Sequence, residues 1–412
     1  MASGADGDFE LMTSDRPGPG YVEVNNTKLS NTSDTPSNVI NIDSANAPMM
    51  LYSPTDKVLV TVIMPMIFTI GVLGNAAIII AFFKCKYMRT VTNHYLVSLA
   101  FADMTFLLFA APQFWIQYFT SPLVADSTYM SLVYCKLGYY FTDTGILASG
   151  LTVIIVTVER YLGTCWPFKF RRFSSKRRTI MICISLWIAC AIYKIPVLYF
   201  GTKVKYSLTW DVDPIGLPPH MRPQSVQYCN YCFPKSEPNC NRYRKSLSFD
   251  QIILLSVIPL TCILYTLIVV ELRRSANAKI IAEDKNAIRT KKQVVRMLIV
   301  TIALYAICIT PFRVLNLFDI FGYNIPPKFI WILVNISRIM MYINSATNPF
   351  IYNVMSDKCR RAFRECFCFC IPGCEATRQF GTVSSARQVR MSRSTMRTAL
   401  DNPDSDHNKA NV

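Results

Sequence analysis

Seven apolar stretches, each long enough to cross a bilayer, divide this chain, and nothing else in it constrains the fold as strongly. They fall at about 56–83, 91–119, 132–164, 177–200, 247–273, 290–322 and 328–352. A helix needs about 20 apolar residues to span a hydrocarbon core of about 30 Å. Lipid offers the backbone no hydrogen bonds, so each stretch must satisfy its own N–H and C=O groups as a helix. The expected fold is therefore an all-α membrane protein, a seven-transmembrane helix bundle. Four regions follow: a disordered tail (1–55), the bundle (56–352), an amphipathic C-terminal helix with acylation sites (353–370) and a disordered tail (371–412).

The formal net charge of +17 suggests nucleic-acid binding until the basic residues are placed. They gather in alternate connectors: Lys84, Lys86 and Arg89 in the first, Lys169, Arg171, Arg172, Lys176, Arg177 and Arg178 in the third, and Arg273, Arg274, Lys279, Arg289, Lys291 and Lys292 in the fifth. Positive residues stay on the cytoplasmic side of a membrane. The expected arrangement is a multi-pass membrane protein with its N-terminus outside and its C-terminus inside, and no nucleic-acid partner.

The tail before the first span is polar and rich in Asp, Asn, Ser, Thr and Pro, too poor in apolar surface to fold alone. Asn25 and Asn31 open glycosylation sequons there. Cys135, at the outer end of span three, needs a partner among Cys229, Cys232 and Cys240 of the long second outer connector. Cys232 is favoured, with Cys229 as the alternative, because sequence alone does not fix connectivity. After span seven, Phe363 and Phe367 lie four apart with basic residues on the other face, as in a helix lying on the inner leaflet. Cys366, Cys368 and Cys370 behind it are sites for palmitoylation. The last tail, rich in Ser and Thr, is a substrate for phosphorylation.

Polar residues inside the spans are costly, about 2.5–3.5 kcal/mol for a central charge on insertion scales, and mark working parts. Span seven is the most loaded, with Arg338, Asn344, Ser345, Asn348 and Pro349. Asp103, Ser149, Asn344 and Asn348 offer oxygens around one negative charge, a set suited to a small hard cation or to a water network. Glu159-Arg160-Tyr161, at the basic end of span three, offers a pair that a switch can make or break. Asp143, Arg313 and Arg338 lie deeper than snorkelling explains. They either pair with one another, Asp143 with Arg313 or Arg338, or line a wet pocket for a polar ligand.

These residues spell out a resemblance. Gly74-Asn75, Leu99-Ala100-Phe101-Ala102-Asp103, Glu159-Arg160-Tyr161, Cys308-Ile309-Thr310-Pro311 and Asn348-Pro349-Phe350-Ile351-Tyr352 stand in order on successive spans. The chain resembles rhodopsin-like (class A) G protein-coupled receptors from span one to the helix after span seven. Met88 to Ala100 and Arg338 to Ala346 look like neuropeptide receptors, most of all thyrotropin-releasing-hormone receptors, then neuromedin U, pyrokinin and ghrelin receptors.

The resemblance implies a receptor for a short, amidated extracellular peptide, acting through a heterotrimeric G protein of Gq type, with arrestin and receptor kinases as further partners. It implies ligand contacts at Gln113, Thr142, Asp143, Arg313, Asn316, Arg338 and Tyr342. It implies a sodium site at Asp103, Ser149, Asn344 and Asn348, and no other cofactor. The activation switch would use Glu159, Arg160, Tyr161, Pro311, Asn348, Pro349 and Tyr352, and the G protein would meet Arg160, Pro167 and Phe168. The chain departs from the pattern at Ile309, where the family has tryptophan, at Tyr305, where it has phenylalanine, and in the six-residue spacing from Pro259 to Tyr265. Thr142 stands where amine receptors carry aspartate and Tyr342 where opsins carry the retinal lysine, so neither ligand fits. An ion or solute transporter is the reading from another class, but no internal repeat supports it. An enzyme is not expected: the chain has three histidines and no nucleophile–base pair.

Overall fold

The computed structural model describes residues 39–42, 47–211, 217–233, 238–277, 285–320 and 327–367. Asn25, Asn31, Cys368, Cys370 and the tail 371–412 lie outside them. In chain order the elements are β1 (Val39–Ile42), α1 (Ala47–Met50), α2 (Pro54–Val58), a π turn (Leu59–Ile63), α3 (Met64–Lys84), a 3-10 turn (Lys86–Met88), α4 (Val91–Thr120) and α5 (Leu132–Cys165). Then come α6 (Pro167–Phe173), α7 (Lys176–Phe200), β2 (Thr202–Trp210), a 3-10 turn (Pro219–Met221) and β3 (Ser225–Asn230). The chain continues through α8 (Pro238–Asn277), α9 (Lys285–Ile320), α10 (Pro327–Met355) and α11 (Asp357–Phe367).

Among the described residues, six helices are long and apolar enough to cross a membrane: Pro54–Lys84, Val91–Thr120, Leu132–Cys165, Lys176–Phe200, Ser246–Arg274 and Val295–Phe318. The helix α10, which carries Arg338, Asn344 and Asn348, completes the bundle as the seventh. Hydroxyl caps start the spans. Ser53 forms a capping box with Asp56, and Thr90, Ser131 and Ser175 accept from backbone N–H groups in the first turns of α4, α5 and α7. The helices α4, α7, α8, α9 and α10 each carry an internal proline: Pro112, Pro196, Pro259, Pro311 and Pro349. Each removes one helical hydrogen bond, which a membrane helix tolerates where neighbours make good the loss.

The helix α5 packs against α4, α7 and α8. It approaches α4 closely at Gly145, where a Cβ would lie 3.0 Å from the Ala102 carbonyl oxygen. Polar side chains then tie helices that lie far apart in sequence. Asn75 Nδ2 donates to the Ser345 carbonyl (3.0 Å), Trp187 Nε1 to Ser98 Oγ (3.2 Å) and Asn348 Nδ2 to Asp103 Oδ2 (2.7 Å). Within a bilayer such bonds add to van der Waals packing, which alone holds apolar helices together.

One end of the bundle carries both disulfides and a three-stranded sheet; it is the cystine end here. The other carries the basic connectors. In the sheet, β2 pairs antiparallel with β3 and parallel with β1, with Tyr206 opposite Val226 and Val39 opposite Ser207. Alternate residues of β2, Val204, Tyr206 and Leu208, turn inward with Ile40, Ile42, Leu123, Val226 and Tyr228 to form a small core. Lys203 Nζ donates to the carbonyls of Thr128 (3.2 Å) and Met130 (2.6 Å), and burial holds its pKa below the ordinary lysine value.

The sheet corrects the expectation that residues 1–55 are wholly unfolded. Ile40 and Ile42 are fully buried, because β2 supplies the backbone partners and apolar face that the tail alone lacks. The chain forms two compact units, Met1–Arg360 and Arg361–Val412. In the second, Arg361 pairs with Glu365 at 2.7 Å and Phe363 with Phe367 at 5.8 Å between ring centroids. The expected helix after span seven is thus present over Asp357–Phe367.

Candidate functional site

A cavity of about 420 Å³ opens at the cystine end between α4, α5, α7, α8, α9 and α10, and β3 contributes to its wall. All seven residues expected to contact a ligand line it: Gln113, Thr142, Asp143, Arg313, Asn316, Arg338 and Tyr342. They arrive from four helices, because each lies at the cystine end of its span and faces the bundle axis. The Arg338 guanidinium sits 4.1 Å from the Phe114 ring centroid, a cation–π contact that desolvation strengthens. Tyr342 tilts against Phe106, with ring centroids 5.1 Å apart.

The disulfides differ from the favoured pairing. Cys135 bonds Cys229, and Cys232 bonds Cys240, which makes the alternative partner the correct one. The register of the sheet decides this. Cys229 lies on β3 opposite Lys203, over the start of α5, whereas Cys232 lies past the strand end, beside the first turn of α8. The two bridges fix the segment between them, and Tyr231 in that segment reaches into the cavity. Its hydroxyl donates to Asp143 Oδ1 at 3.2 Å, and its ring stacks on Tyr139 with centroids 4.6 Å apart.

Of the two readings left open for Asp143, Arg313 and Arg338, the internal pair is not formed among the described residues, and all three line the cavity. Asp143 Oδ2 lies 3.7 Å from Lys194 Nζ, and Lys194 donates in turn to Asp250 Oδ2. Arg313 Nη1 donates to Gln251 Oε1 at 3.0 Å. Lys194 and Asp250 went unrecognised in the sequence. Lys194 is a lysine deep in an apolar span, the same signal that singled out Arg338. Asp250 sits near the start of its span, where a charge reads as interfacial. Both are buried, at 5% and 4% exposure, so their charges are paired where unpaired ones would be costly.

Midway through the bundle, a cavity of about 10 Å³ is lined by Asp103, Ser149, Asn344 and Ser345, with Tyr305 and Ile309 on its other side. Such a volume holds about one water-sized species. Asp103 Oδ2 accepts from Asn348, while its Oδ1 has no protein partner among the described residues. One carboxylate with neutral oxygen donors around it fits a monovalent cation or a water. Among the described residues no group of three or more His, Cys, Asp or Glu suits a metal ion.

At the basic end, Arg160 Nη2 bonds Glu159 Oε1 at 3.3 Å. Glu159 is buried and the Arg160 side chain is 25% exposed. Pro167 opens α6, and Phe168 beside it is 90% exposed. Tyr352 is 1% exposed, and Pro349 packs where a Cβ on Gly74 would lie 2.9 Å from its Cγ. Tyr265 meets Thr157 across α8 and α5, at 3.4 Å between hydroxyls, so the shifted proline leaves it in the bundle interior.

Comparison with known proteins agrees with this layout. The sequence profile of the 7 transmembrane receptor (rhodopsin family) matches residues 74–352. The thyrotropin-releasing hormone receptor of Gallus gallus is 29% identical over 331 residues, covering 73% of this chain and 76% of that one. Neuromedin-U receptor 2 of Mus musculus is 30% identical over 321 residues, 74% of each chain. The KiSS-1 receptor of Rattus norvegicus is 26% identical over 345 residues, 79% of each. The matched residues run from Gly74-Asn75 to Tyr352, the two ends of the motif series on the spans, and the chain belongs to the rhodopsin family of seven-transmembrane receptors, a multi-pass membrane receptor rather than an enzyme.

Proposed function

We propose that this receptor sits in the plasma membrane with its cystine end outside and answers a short, C-terminally amidated peptide through a heterotrimeric G protein of Gq type. The observation that carries the reading is the cavity at the cystine end, where Arg313 and Arg338 stand among apolar and aromatic walls. Two guanidinium groups suit peptide carbonyls or an acidic group. The relatives whose names refer to thyrotropin-releasing hormone and neuromedin U support a peptide as the occupant.

The peptide binds one arrangement of the bundle better than another and shifts the population toward it. The helices α9 and α10 carry the change past Pro311 and Pro349 to the basic end. There Arg160 leaves Glu159, and Arg160, Pro167 and Phe168 meet the G protein. Tyr161, Asn348 and Tyr352 complete the switch. Sodium at Asp103, Ser149, Asn344 and Asn348 holds the resting arrangement, so that raising sodium lowers agonist affinity, and Asp103→Asn abolishes that dependence. Glycans at Asn25 and Asn31, acyl chains at Cys366, Cys368 and Cys370, and arrestin and receptor kinases acting on the tail complete the assignment.

The test is a screen of amidated neuropeptides on cells carrying the receptor with a promiscuous G protein. A dose-dependent calcium response absent from untransfected cells supports the proposal. Ligand-evoked ion flux in reconstituted protein without any G protein contradicts it.

A further inference from the structure

Two buried side chains at the floor of the cystine-end cavity have polar atoms that no described residue satisfies. Asp250, 4% exposed, accepts from Lys194 through Oδ2, while its Oδ1 has no protein partner. Arg313, 6% exposed, donates to Gln251 through Nη1, while Nε and Nη2 have none. Both residues line the cavity. Burying an unmet donor or acceptor costs about 1–3 kcal/mol, and more for a charged group.

Asp143 and Asp250 share the single ammonium of Lys194. Asp143 also accepts from Tyr231, so both of its oxygens are engaged. Asp250 holds the closer contact with Lys194, yet its Oδ1 stays open. Arg313 would be the natural partner, but its bond goes to the neutral amide of Gln251, the residue next to Asp250. An open acceptor bearing negative charge and open donors bearing positive charge thus line one cavity without meeting each other.

The geometry points to a second recognition point, in which Asp250, with Lys194 as its resident partner, takes a cationic group of the ligand while Arg313 takes an acceptor group beside it. This inference rests on the peptide-receptor reading and narrows it to peptides that carry an ammonium or guanidinium near a carbonyl. A neutral donor fills the open oxygen of Asp250; a cation fills it and adds attraction to the carboxylate, which the low dielectric of the site enlarges. Lys194 spends its donors on Asp250 and Asp143, so a ligand guanidinium, with five donors in a planar fork, can engage the carboxylate alongside it.

The experiment uses the full-length receptor and matched pairs of short amidated peptides in which one arginine is replaced by citrulline, which keeps the shape and removes the charge. Thermal stabilisation of the purified receptor and G protein activation in cells are read together. In the native receptor the arginine member of an active pair should be at least about tenfold more potent, the equivalent of about 1.4 kcal/mol. In Asp250→Asn that ratio should fall to near one, chiefly through loss of potency by the arginine member. Equal potencies in the native receptor overturn the inference while leaving the peptide reading standing. So does an equal loss for both members in Asp250→Asn, which would mark the cluster as a structural ion pair only. A library in which neither member of any pair engages the receptor overturns the peptide reading itself and this one with it. Should Asp250→Asn fail to reach the surface, the double variant Lys194→Gln/Asp250→Asn, which removes both partners of the pair, takes its place: the arginine preference should fall to near one, and a ratio kept at about tenfold overturns the inference.

Discussion

The two ends of the bundle hold their charges in opposite ways. At the cystine end, Lys194 meets a residue 56 positions away and Arg313 one 62 positions away, each on another helix. At the basic end, Arg160 meets Glu159, its own neighbour in sequence. A bond between helices cannot break without moving them or exposing a buried charge, so the upper network fixes the frame against which a ligand is read. A bond within one helix can open by rotation of a single side chain. That suits the lower pair to switching: Arg160 is already a quarter exposed, and neutralising the buried Glu159 would release it.

The covalent restraints give the contrast its largest expected effect. Cys135–Cys229 closes 94 residues and Cys232–Cys240 closes eight. On loop-closure grounds the first should be worth about 4–5 kcal/mol and the second about 2–3. Cys229→Ser should therefore lower surface display and thermal stability more than Cys232→Ser. The reverse order would show that the short bridge beside Tyr231, and not the long one, anchors the cap.

Next in size is Lys194→Met, which leaves Asp143 and Asp250 without their shared cation. Breaking a buried pair costs about 3–5 kcal/mol. The variant should lose several degrees of melting temperature in detergent, whereas Glu159→Gln at the basic end should lose little and raise basal signalling instead. If both variants melt alike, the distinction between a fixed upper frame and a releasable lower pair fails.

Ile309→Trp comes third. Ile309 is 5% exposed beside a cavity of about 10 Å³, far too small for an indole. Overpacking of this kind costs about 1–3 kcal/mol. The tryptophan should destabilise the resting bundle and change basal second-messenger levels, read in transfected cells without peptide. The smallest effect on stability belongs to Phe168→Ala. That ring touches little, so melting should not move while G protein activation falls.

Much of this layout could be read from the chain. The spans were legible because lipid leaves so few solutions for an apolar run, and the motif residues because each is expensive where it stands. Gln113, Asn316 and Tyr342 reach one cavity because each sits on an inward face of its span. What was not legible depends on partners brought from afar. Val39–Ile42 is only four residues of a polar tail until β2 offers it an edge. The choice between Cys229 and Cys232 turns on the register of β2 with β3, which no local signal encodes. Lys194 was as visible as Arg338, but its role depends on Asp250, whose position near a span end disguises its burial.

The central claim is that the cystine end reads the ligand and the basic end reports it. The most direct measurement compares Arg338→Ala with Arg160→Ala, using the most active amidated peptide, with radioligand binding and G protein activation recorded on the same membranes at matched surface display. Arg338→Ala should lose peptide binding by about tenfold or more, and signalling with it. Arg160→Ala should keep peptide binding and lose signalling. Unchanged potency in Arg338→Ala, or lost signalling in Arg160→Ala that merely follows lost binding, would contradict the account.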